Sequence, residues 1–400
     1  MRILLVSDYA TPTGGAELMV LSLRDGLRRR GHDARLFASS ARPLEAASAA
    51  DYECFGTMSF RRGLTQIANP SAFLRLRGVL RDFRPDVVHV RLFLSQLSPL
   101  ILPLLGDVPA ILHVAWYRPI CPIGTKLLPD GRSCHEAPGT ACLKHGCFPA
   151  WAWPSAMLQL NVWRHWRDVF DRIVANSETM RRRLDDAGIR PAEVIWNGVP
   201  ARPARQPLSD PPVVAFAGRL VPEKGADVLL DAFAKIVRRV PDAQLLIAGG
   251  GPERDRLESQ IRSLHLTNSV RMLGHLSRED LESHFGEAWV QVVPSRWEEP
   301  FGIAAAEALM RGTAVVATNH GGLAEFVHHG ETGFLVAPGD ADALADALLF
   351  LLADRNRAES MGRCGRQFAL SHLTEDAFVD RFLRVYSQIS VGQPVLVPAV

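Results

Sequence analysis

The chain has 400 residues, of which 47% are hydrophobic and 22% charged, and this composition predicts a globular protein of two or three domains. Six cysteines do not form the dense pattern of a disulfide-rich secreted domain, and this favours a cytoplasmic enzyme. Residues 1–200 hold 25 Lys and Arg against 18 Asp and Glu (+7), whereas residues 201–400 hold 20 against 25 (−5). The basic half could face an anionic membrane or acceptor, or be an ordinary solvated surface, and we expect no nucleic-acid partner.

The N-terminal region predicts a βαβ unit. Residues 3–6 form an apolar strand, residues 16–30 a helix and residues 34–38 a second strand, which together imply a parallel sheet. Because the first residues run straight into a strand, they do not resemble a signal peptide. Gly14 and Gly15 precede the helix, where the backbone could approach a phosphate, although a plain tight turn explains the pair equally well.

Further strands are predicted at residues 84–90 and 110–113. The second ends at His113, and open α/β sheets bind ligands at the carboxyl ends of their strands. A structural role is the commoner interpretation of a single histidine. Residues 92–114 are strongly apolar but contain three prolines and Asp107, which argues against a transmembrane helix.

Residues 116–149 form a predicted insertion that carries four cysteines but no C-x2-C pair. A bound metal or a redox-sensitive disulfide is one interpretation, and simple thiols are the other. Tryptophans and arginines follow at residues 151–172. This helix could lie on a membrane surface or pack on the domain core, and we slightly favour the core. The cysteines are Cys121, Cys134, Cys142 and Cys147.

Residues 200–212 contain five prolines and are predicted to link two domains. After a strand at residues 213–217, Arg219 and Lys224 share one strand-to-helix loop, where two cations could neutralise a diphosphate without a metal. Asp340 and Asp342 match the D-x-D pattern of metal-dependent transferases, but helix capping explains them better.

The most informative stretch is residues 289–325. It predicts a strand at 289–293, a helix over 301–310 with Pro300 in the first helical position, and a strand at 313–317. Glu299 lies at the predicted mouth of the helix and Glu307 inside it. A helix N-terminus attracts anions and carboxylates accept hydrogen bonds from hydroxyls, so the pair suits a nucleoside-diphosphate sugar. Two solvated glutamates are the alternative.

The string Glu299-Pro-Phe-Gly302 followed by Glu307 resembles the E-x7-E motif of retaining glycosyltransferases of family GT4, and the similarity runs from the first strand to about residue 385. The resemblance implies an α/β fold of class GT-B, with two Rossmann-like domains facing across a cleft. The expected segments are an acceptor-side domain (1–199), a linker (200–212), a donor domain (213–373) and a C-terminal helix crossing back to the first domain (374–390).

The resemblance also implies site residues, and because Arg219 and Lys224 can neutralise the diphosphate we expect no required metal. Many relatives follow the histidine with Asp, whereas here Val114 follows, which removes a carboxylate that could take part in a proton relay. The implied catalytic residues are Glu299 and His113. The implied donor-binding residues are Gly15, Arg219, Lys224, His275, Leu276, Phe301, Gly302, Ile303 and Glu307.

The expected activity is retaining hexosyl transfer from a UDP- or GDP-sugar to a glycan or lipid-linked glycan hydroxyl. The expected setting is bacterial surface polysaccharide or glycoconjugate synthesis, in the cytoplasm or peripherally on the inner membrane face. A nucleotide-sugar 2-epimerase and a non-catalytic GT-B binding protein are the alternatives. An incubation without acceptor separates the epimerase from the transferase.

Overall fold

The computed structural model describes residues 1–43, 46–59 and 62–390, which divide into two compact units. The first unit contains residues 1–129, 135–198 and the chain from residue 375 onward. The second contains residues 130–134 and 199–374. Each unit is built around one sheet.

The strands alternate with helices along most of the chain. In order, the strands are β1 (Arg2–Ser7), β2 (Asp33–Ser39), β3 (Tyr52–Cys54), β4 (Val87–Val90), β5 (Ala110–Val114), β6 (Arg172–Ala175), β7 (Glu193–Val194), β8 (Val213–Ala217), β9 (Gln244–Ala248), β10 (Val270–Gly274), β11 (Val290–Val293), β12 (Ala314–Thr318) and β13 (Gly333–Val336). The α-helices are α1 (Gly15–Arg29), α2 (Arg62–Ile67), α3 (Pro70–Phe83), α4 (Ala141–Lys144), α5 (Trp153–Trp166), α6 (Glu178–Asp186), α7 (Ala226–Val237), α8 (Arg254–Ser263), α9 (Arg278–Phe285), α10 (Ile303–Arg311), α11 (Leu323–Phe326), α12 (Ala341–Leu352), α13 (Arg355–His372) and α14 (Glu375–Ser390).

Both sheets are parallel and share one topology. Within the described residues, the first sheet has the order β3-β2-β1-β4-β5-β6-β7 and the second the order β10-β9-β8-β11-β12-β13. In each sheet, the second and third strands lie on one side of the first strand, and the fourth and later strands lie on its other side. This is the Rossmann order, which opens a ligand-binding crevice at the carboxyl ends of the two central strands. The central pairs are β1 and β4 in the first sheet and β8 and β11 in the second.

The first unit buries its sheet partly beneath the C-terminal helix. Phe378, Phe382 and Tyr386 on α14 are almost fully buried and join the apolar cluster formed by β1, β2 and α1. The packing on α1 is close, because a Cβ added at Gly26 would collide with Val379. The apolar face of α14 therefore completes the core of the first unit.

Local sequence explains several helix starts. The Asn69 side chain accepts the N–H of Ala72 at the start of α3, and Ser177 accepts that of Met180 at the start of α6. Asp340 accepts the N–H groups of Asp342 and Ala343 at the start of α12, so its interpretation as a helix cap is confirmed.

Two predicted boundaries are wrong. The helix predicted over 301–310 begins at Ile303, and Pro300 is therefore outside it. Gly302 precedes the helix with a φ of 104°, and a Cβ there would collide with Leu323, so packing against α11 sets this backbone conformation. The strand predicted over residues 84–90 begins only at Val87. Glu299 consequently lies in a loop rather than at the mouth of α10.

The aromatic helix α5 packs mainly inward. Trp163 is fully buried, donates its indole N–H to the carbonyl of Pro119 and contacts the rings of Phe93 and Phe170. The interpretation that this helix packs on the core is confirmed for Trp163, whereas Trp151 lies exposed just before the helix. Across the described ranges, none of the helices combines the length and apolarity required to span a bilayer.

Candidate functional site

Three of the predicted site residues, Arg219, Lys224 and Glu299, cluster at the carboxyl ends of β8 and β11. The loop after β8 carries Arg219 and Lys224, and the loop after β11 carries Ser295 and Glu299. These strands are neighbours in the sheet, and the strand order reverses between them. Ligands of doubly wound sheets bind at this position.

Lys224 and Glu299 form a direct ion pair within this cluster. Lys224 Nζ donates to Glu299 Oε1 at 2.6 Å, and Ser295 Oγ donates to the same oxygen at 2.5 Å. The Lys224 ammonium also lies 5.1 Å from the centre of the Trp297 ring, within range of a cation–π interaction. The side chain of Glu299 is only 5% exposed and that of Lys224 is 20% exposed, so the carboxylate is buried and the lysine is partly open to solvent.

Glu299 is held in its ionised form. Burial by itself would raise the pKa of this carboxyl group, but the charge of Lys224 and hydrogen bonds from Lys224 and Ser295 outweigh it. The net result is a pKa below the ordinary glutamate value. Glu299 can thus accept hydrogen bonds at neutral pH but is not poised to donate a proton.

Arg219 has a different environment. Its side chain is 67% exposed, and its nearest carboxylate is that of Glu223 at 3.7 Å. An exposed guanidinium of this kind is free to rearrange around an incoming anion, because little packing fixes it.

Glu307 is paired with an arginine that the sequence did not reveal. Arg278 Nη2, at the start of α9, donates to Glu307 Oε1 on α10 at 2.6 Å, and both side chains are largely buried. This pair explains how Glu307 is tolerated in the apolar run of α10. Arg278 is 29 positions from Glu307, so no local pattern could have identified it. Ser295 was missed as well, although it stands only four residues before Glu299.

The backbone around α10 supplies the remaining donor-side candidates. Phe301 is buried and stacks on Phe326, with ring centres 4.8 Å apart. Gly302 and Ile303 form the start of α10, where free N–H groups can face an anion. His275 and Leu276 follow β10 directly, with His275 exposed and Leu276 half-buried.

In the first unit, Gly15 is the first residue of α1 and Gly14 precedes it in an extended conformation. The carboxylate of Glu17 lies so close to Gly14 that a Cβ there would collide with it. An acidic side chain therefore already interacts with the positive end of α1.

His113 is fully buried beneath α14. Its ring packs against Phe378 and Phe382, and its Nδ1 lies 2.8 Å from Arg91 Nη1. A guanidinium can only donate, so Nδ1 must accept and the proton of the neutral ring is on Nε2. Burial first, and then the charges of Arg91 and His89, hold the pKa of His113 well below its ordinary value. The side chain of His113 has no exposed surface. Its catalytic role stays a prediction.

Arg91 was not singled out from the sequence. Burial lowers the pKa of Arg91 to about 10, so it is charged at neutral pH. Its second terminal nitrogen donates to Asn197 Oδ1 at 3.2 Å. Arg91 follows β4 directly, beside Ser7 of β1 and His113 of β5.

All six cysteines are free thiols. Within residues 1–43, 46–59 and 62–390, no group of three His, Cys, Asp or Glu side chains is arranged to hold a metal ion. We therefore assign no ligand to the cysteines of the 116–149 insertion.

Comparison with known proteins identifies the family. The profile described as Glycosyltransferase Family 4 matches residues 13–202, and the profile described as Glycosyl transferases group 1 matches residues 201–368. The chain belongs to the GT4-type glycosyltransferase family. The two profiles meet at residues 201–202, near the start of the predicted linker.

The sequence of this glycosyltransferase is similar to those of a glycogen synthase and a mannosyltransferase. It is 29% identical over 333 residues to the glycogen synthase of Mycobacterium tuberculosis, which covers 80% of this chain and 74% of the relative. It is 40% identical over 174 residues to a GDP-mannose-dependent alpha-(1-6)-phosphatidylinositol monomannoside mannosyltransferase of Mycolicibacterium smegmatis. That match covers 42% of this chain and less than half, 46%, of the relative.

The fold of the glycosyltransferase is also found among solved structures. Sucrose-phosphate synthase from Thermosynechococcus elongatus superposes with a TM-score of 0.76 at 23% identity, covering 98% of this chain and all of the other. The predicted GT-B class, with two Rossmann-like domains, is confirmed.

Proposed function

We propose that the protein transfers a hexosyl group from a UDP- or GDP-sugar to a hydroxyl of a glycan or lipid-linked glycan, with retention of the anomeric configuration. The observation that carries the proposal is the Lys224–Glu299 pair, 2.6 Å apart at the ligand-binding edge of the second sheet. A cation at this position can neutralise a leaving diphosphate, and an ionised carboxylate can accept hydrogen bonds from sugar hydroxyls. Retention rests in this proposal on the resemblance to E-x7-E enzymes.

The ion pairs need not break completely when the donor binds. A lysine ammonium has three N–H donors, so Lys224 can bind Glu299 and a phosphate oxygen at the same time. A carboxylate offers about four acceptor positions, so Glu307 can keep its bond from Arg278 while accepting from a ribose hydroxyl. The donor-free arrangement is thus pre-organised for the nucleotide sugar.

We assign the donor mainly to the second unit (predicted domain 213–373) and the acceptor to the first (predicted domain 1–199). Arg219 and Lys224 bind the diphosphate, and Glu299 binds the sugar in this assignment. Glu307 binds the ribose. The backbone near His275 and Leu276 holds the base, and the other assigned donor contacts are Gly15, Phe301, Gly302 and Ile303. His113, whose neutral ring carries its proton on Nε2, acts at the sugar in this assignment.

The deciding experiment follows anomeric protons by NMR while the protein is incubated with UDP- and GDP-sugars, with and without an octyl glycoside acceptor. We expect an α-linked product from an α-linked donor, formed only when the acceptor is present. A β-linked product would overturn retention. Conversion of the donor to its C2 epimer without acceptor would identify the 2-epimerase, and tight nucleotide binding without turnover would identify the non-catalytic protein.

Removal of divalent metal is expected to leave the rate largely intact. Arg219, Lys224 and the start of α10 already supply positive charge for the diphosphate in this proposal. The test is to assay immediately after adding EDTA and again after long incubation. Immediate loss that Mg²⁺ or Mn²⁺ restores would contradict the diphosphate assignment. A slow loss that only Zn²⁺ restores would instead show that the cysteines bind structural zinc.

We also propose peripheral association with an anionic membrane surface, in the setting of bacterial surface-glycan synthesis at the inner membrane face. Helices α2 and α5 pack together in the first unit and expose Leu64 and Leu158, with Phe55 and Trp151 exposed nearby in the sequence. Residues 55–83 contain five arginines and one acidic residue, Asp82. Residues 141–167 contain three Lys and Arg and no Asp or Glu. Apolar side chains among cations fit an anionic interface.

The membrane proposal predicts co-sedimentation with phosphatidylglycerol vesicles and little with phosphatidylcholine vesicles. Replacing Leu64 and Leu158 together by aspartate should abolish the binding, because charge opposes insertion of that surface. Leu370→Asp, at an exposed leucine of α13 in the second unit, is the matched control. Equal binding by all three proteins would contradict the assigned surface.

A further inference from the structure

A second ion pair ties together the two loops that carry the proposed donor site. Asp227 is the second residue of α7, and Arg296 lies in the loop after β11. Arg296 Nη1 and Nη2 donate to the two carboxylate oxygens of Asp227 at 2.6 and 2.8 Å. Such a two-bond fork fixes the orientation of both partners, which a single contact does not. Arg256 adds a third contact to Asp227 at 3.2 Å.

The same arginine also contacts the turn that leads to Lys224. The backbone N–H of Arg296 donates to the carbonyl of Glu223 at 2.9 Å, and Nη1 donates to the carbonyl of Pro222 at 3.1 Å. Pro222, Glu223 and Lys224 form one 3₁₀ turn. Through the fork and these carbonyls, Arg296 connects the β11 loop, the turn and the start of α7.

The two loops are in direct contact next to this connection. Gly225 has a φ of 67°, and a Cβ there would collide with the carbonyl oxygen of Pro294. Ser295, between Pro294 and Arg296, donates to Glu299 and has its carbonyl bound by Thr318. A displacement of Arg296 would therefore move both Lys224 and the hydroxyl that binds Glu299.

We propose that Arg296 and Asp227 are positioning residues that hold Lys224 in place against Glu299 for contact with the donor diphosphate. The inference rests on the proposed donor role of Lys224, and it assigns Arg296 and Asp227 no contact with substrate. Lysine has four rotatable bonds, so the location of its ammonium depends on how firmly its backbone and neighbours are fixed. Loss of the fork should weaken the action of Lys224 without removing its charge.

The test uses Arg296→Lys, which keeps the charge but cannot reproduce the fork, and Asp227→Asn. We expect each to weaken UDP or GDP binding, measured by calorimetry, and to lower kcat/KM for the donor by about tenfold. The KM for acceptor should not change. Asp231→Asn is the matched control, because Asp231 is exposed on the same helix and bonds only with Gln260 among the contacts described for it.

A double-mutant cycle separates positioning from general loss of structure. If Arg296 acts through Lys224, Arg296→Lys should have almost no further effect on diphosphate binding in a Lys224→Ala background. Additive effects would overturn the positioning role while leaving the donor site intact. If Lys224→Ala alone leaves UDP and GDP binding unchanged, the proposed donor role of Lys224 fails instead, so the two failures are distinguishable.

Discussion

Replacing Lys224 by alanine is expected to lower kcat/KM for sugar transfer by about 10²–10³-fold, the range found when one charge-stabilising group is removed from an active site. The ammonium is the less exposed cation of the proposed diphosphate site, and Glu299, with its side chain 5% exposed, would lose its ionic partner. Arg219→Ala should lower the rate by more than tenfold, since that exposed guanidinium is the second cation. Steady-state kinetics with the donor identified by NMR measures both effects.

Stability must be separated from catalysis in this experiment, because an unpaired buried carboxylate destabilises a fold by about 3–5 kcal/mol. The double variant Lys224→Met with Glu299→Gln removes both charges and should fold but not turn over. Lys235→Ala is the surface control, since Lys235 is partly exposed on α7 and pairs with Asp342. Near-normal turnover in both Lys224→Ala and Arg219→Ala would contradict the assignment of these two residues to the diphosphate.

Acidification from pH 7.5 to 5.5 is expected to reduce the free energy of unfolding by about 3 kcal/mol through two buried histidines. Burial and, to a smaller extent, the charge of Arg91 hold the pKa of His89 well below its ordinary value. The pKa of His113 is also well below its ordinary value, again mainly because of burial. Below pH 6.5 the unfolded chain binds protons at these positions that the folded chain excludes. Stability therefore falls as the pH is lowered, by up to about 1.4 kcal/mol per pH unit for each histidine.

Chemical denaturation at the two pH values measures this loss. His89→Gln and His113→Gln remove one titrating group each, so each variant should show about half of the loss of stability that the two histidines cause in the native chain. Glutamine can still accept the Arg91 hydrogen bond at position 113. His265→Asn is the control, because His265 is exposed with a φ of 58°, a conformation that asparagine adopts readily. Identical pH dependence in all four proteins would contradict the prediction.

Local sequence patterns were sufficient to predict the parallel sheets, the family and one helix cap of this protein. Short apolar strands alternating with helices specified parallel sheets, since each βαβ unit has one favoured hand. The spacing of Glu299 and Glu307 and the loop containing Arg219 and Lys224 identified the family, which the two profiles over residues 13–368 support. The capping role of Asp340 was also readable, because a cap bonds to the backbone two or three residues away.

Only the tertiary structure determined the partners of these residues. Lys224 meets Glu299 across 75 positions, and Arg278 meets Glu307 across 29. The start of α10 is delayed to Ile303 because Gly302 packs against Leu323, a contact that helix propensity does not include. His113 is buried because α14, more than 260 residues later, covers it. Sequence patterns report the neighbours of a residue along one element, whereas ion pairs and burial depend on which elements the fold brings together.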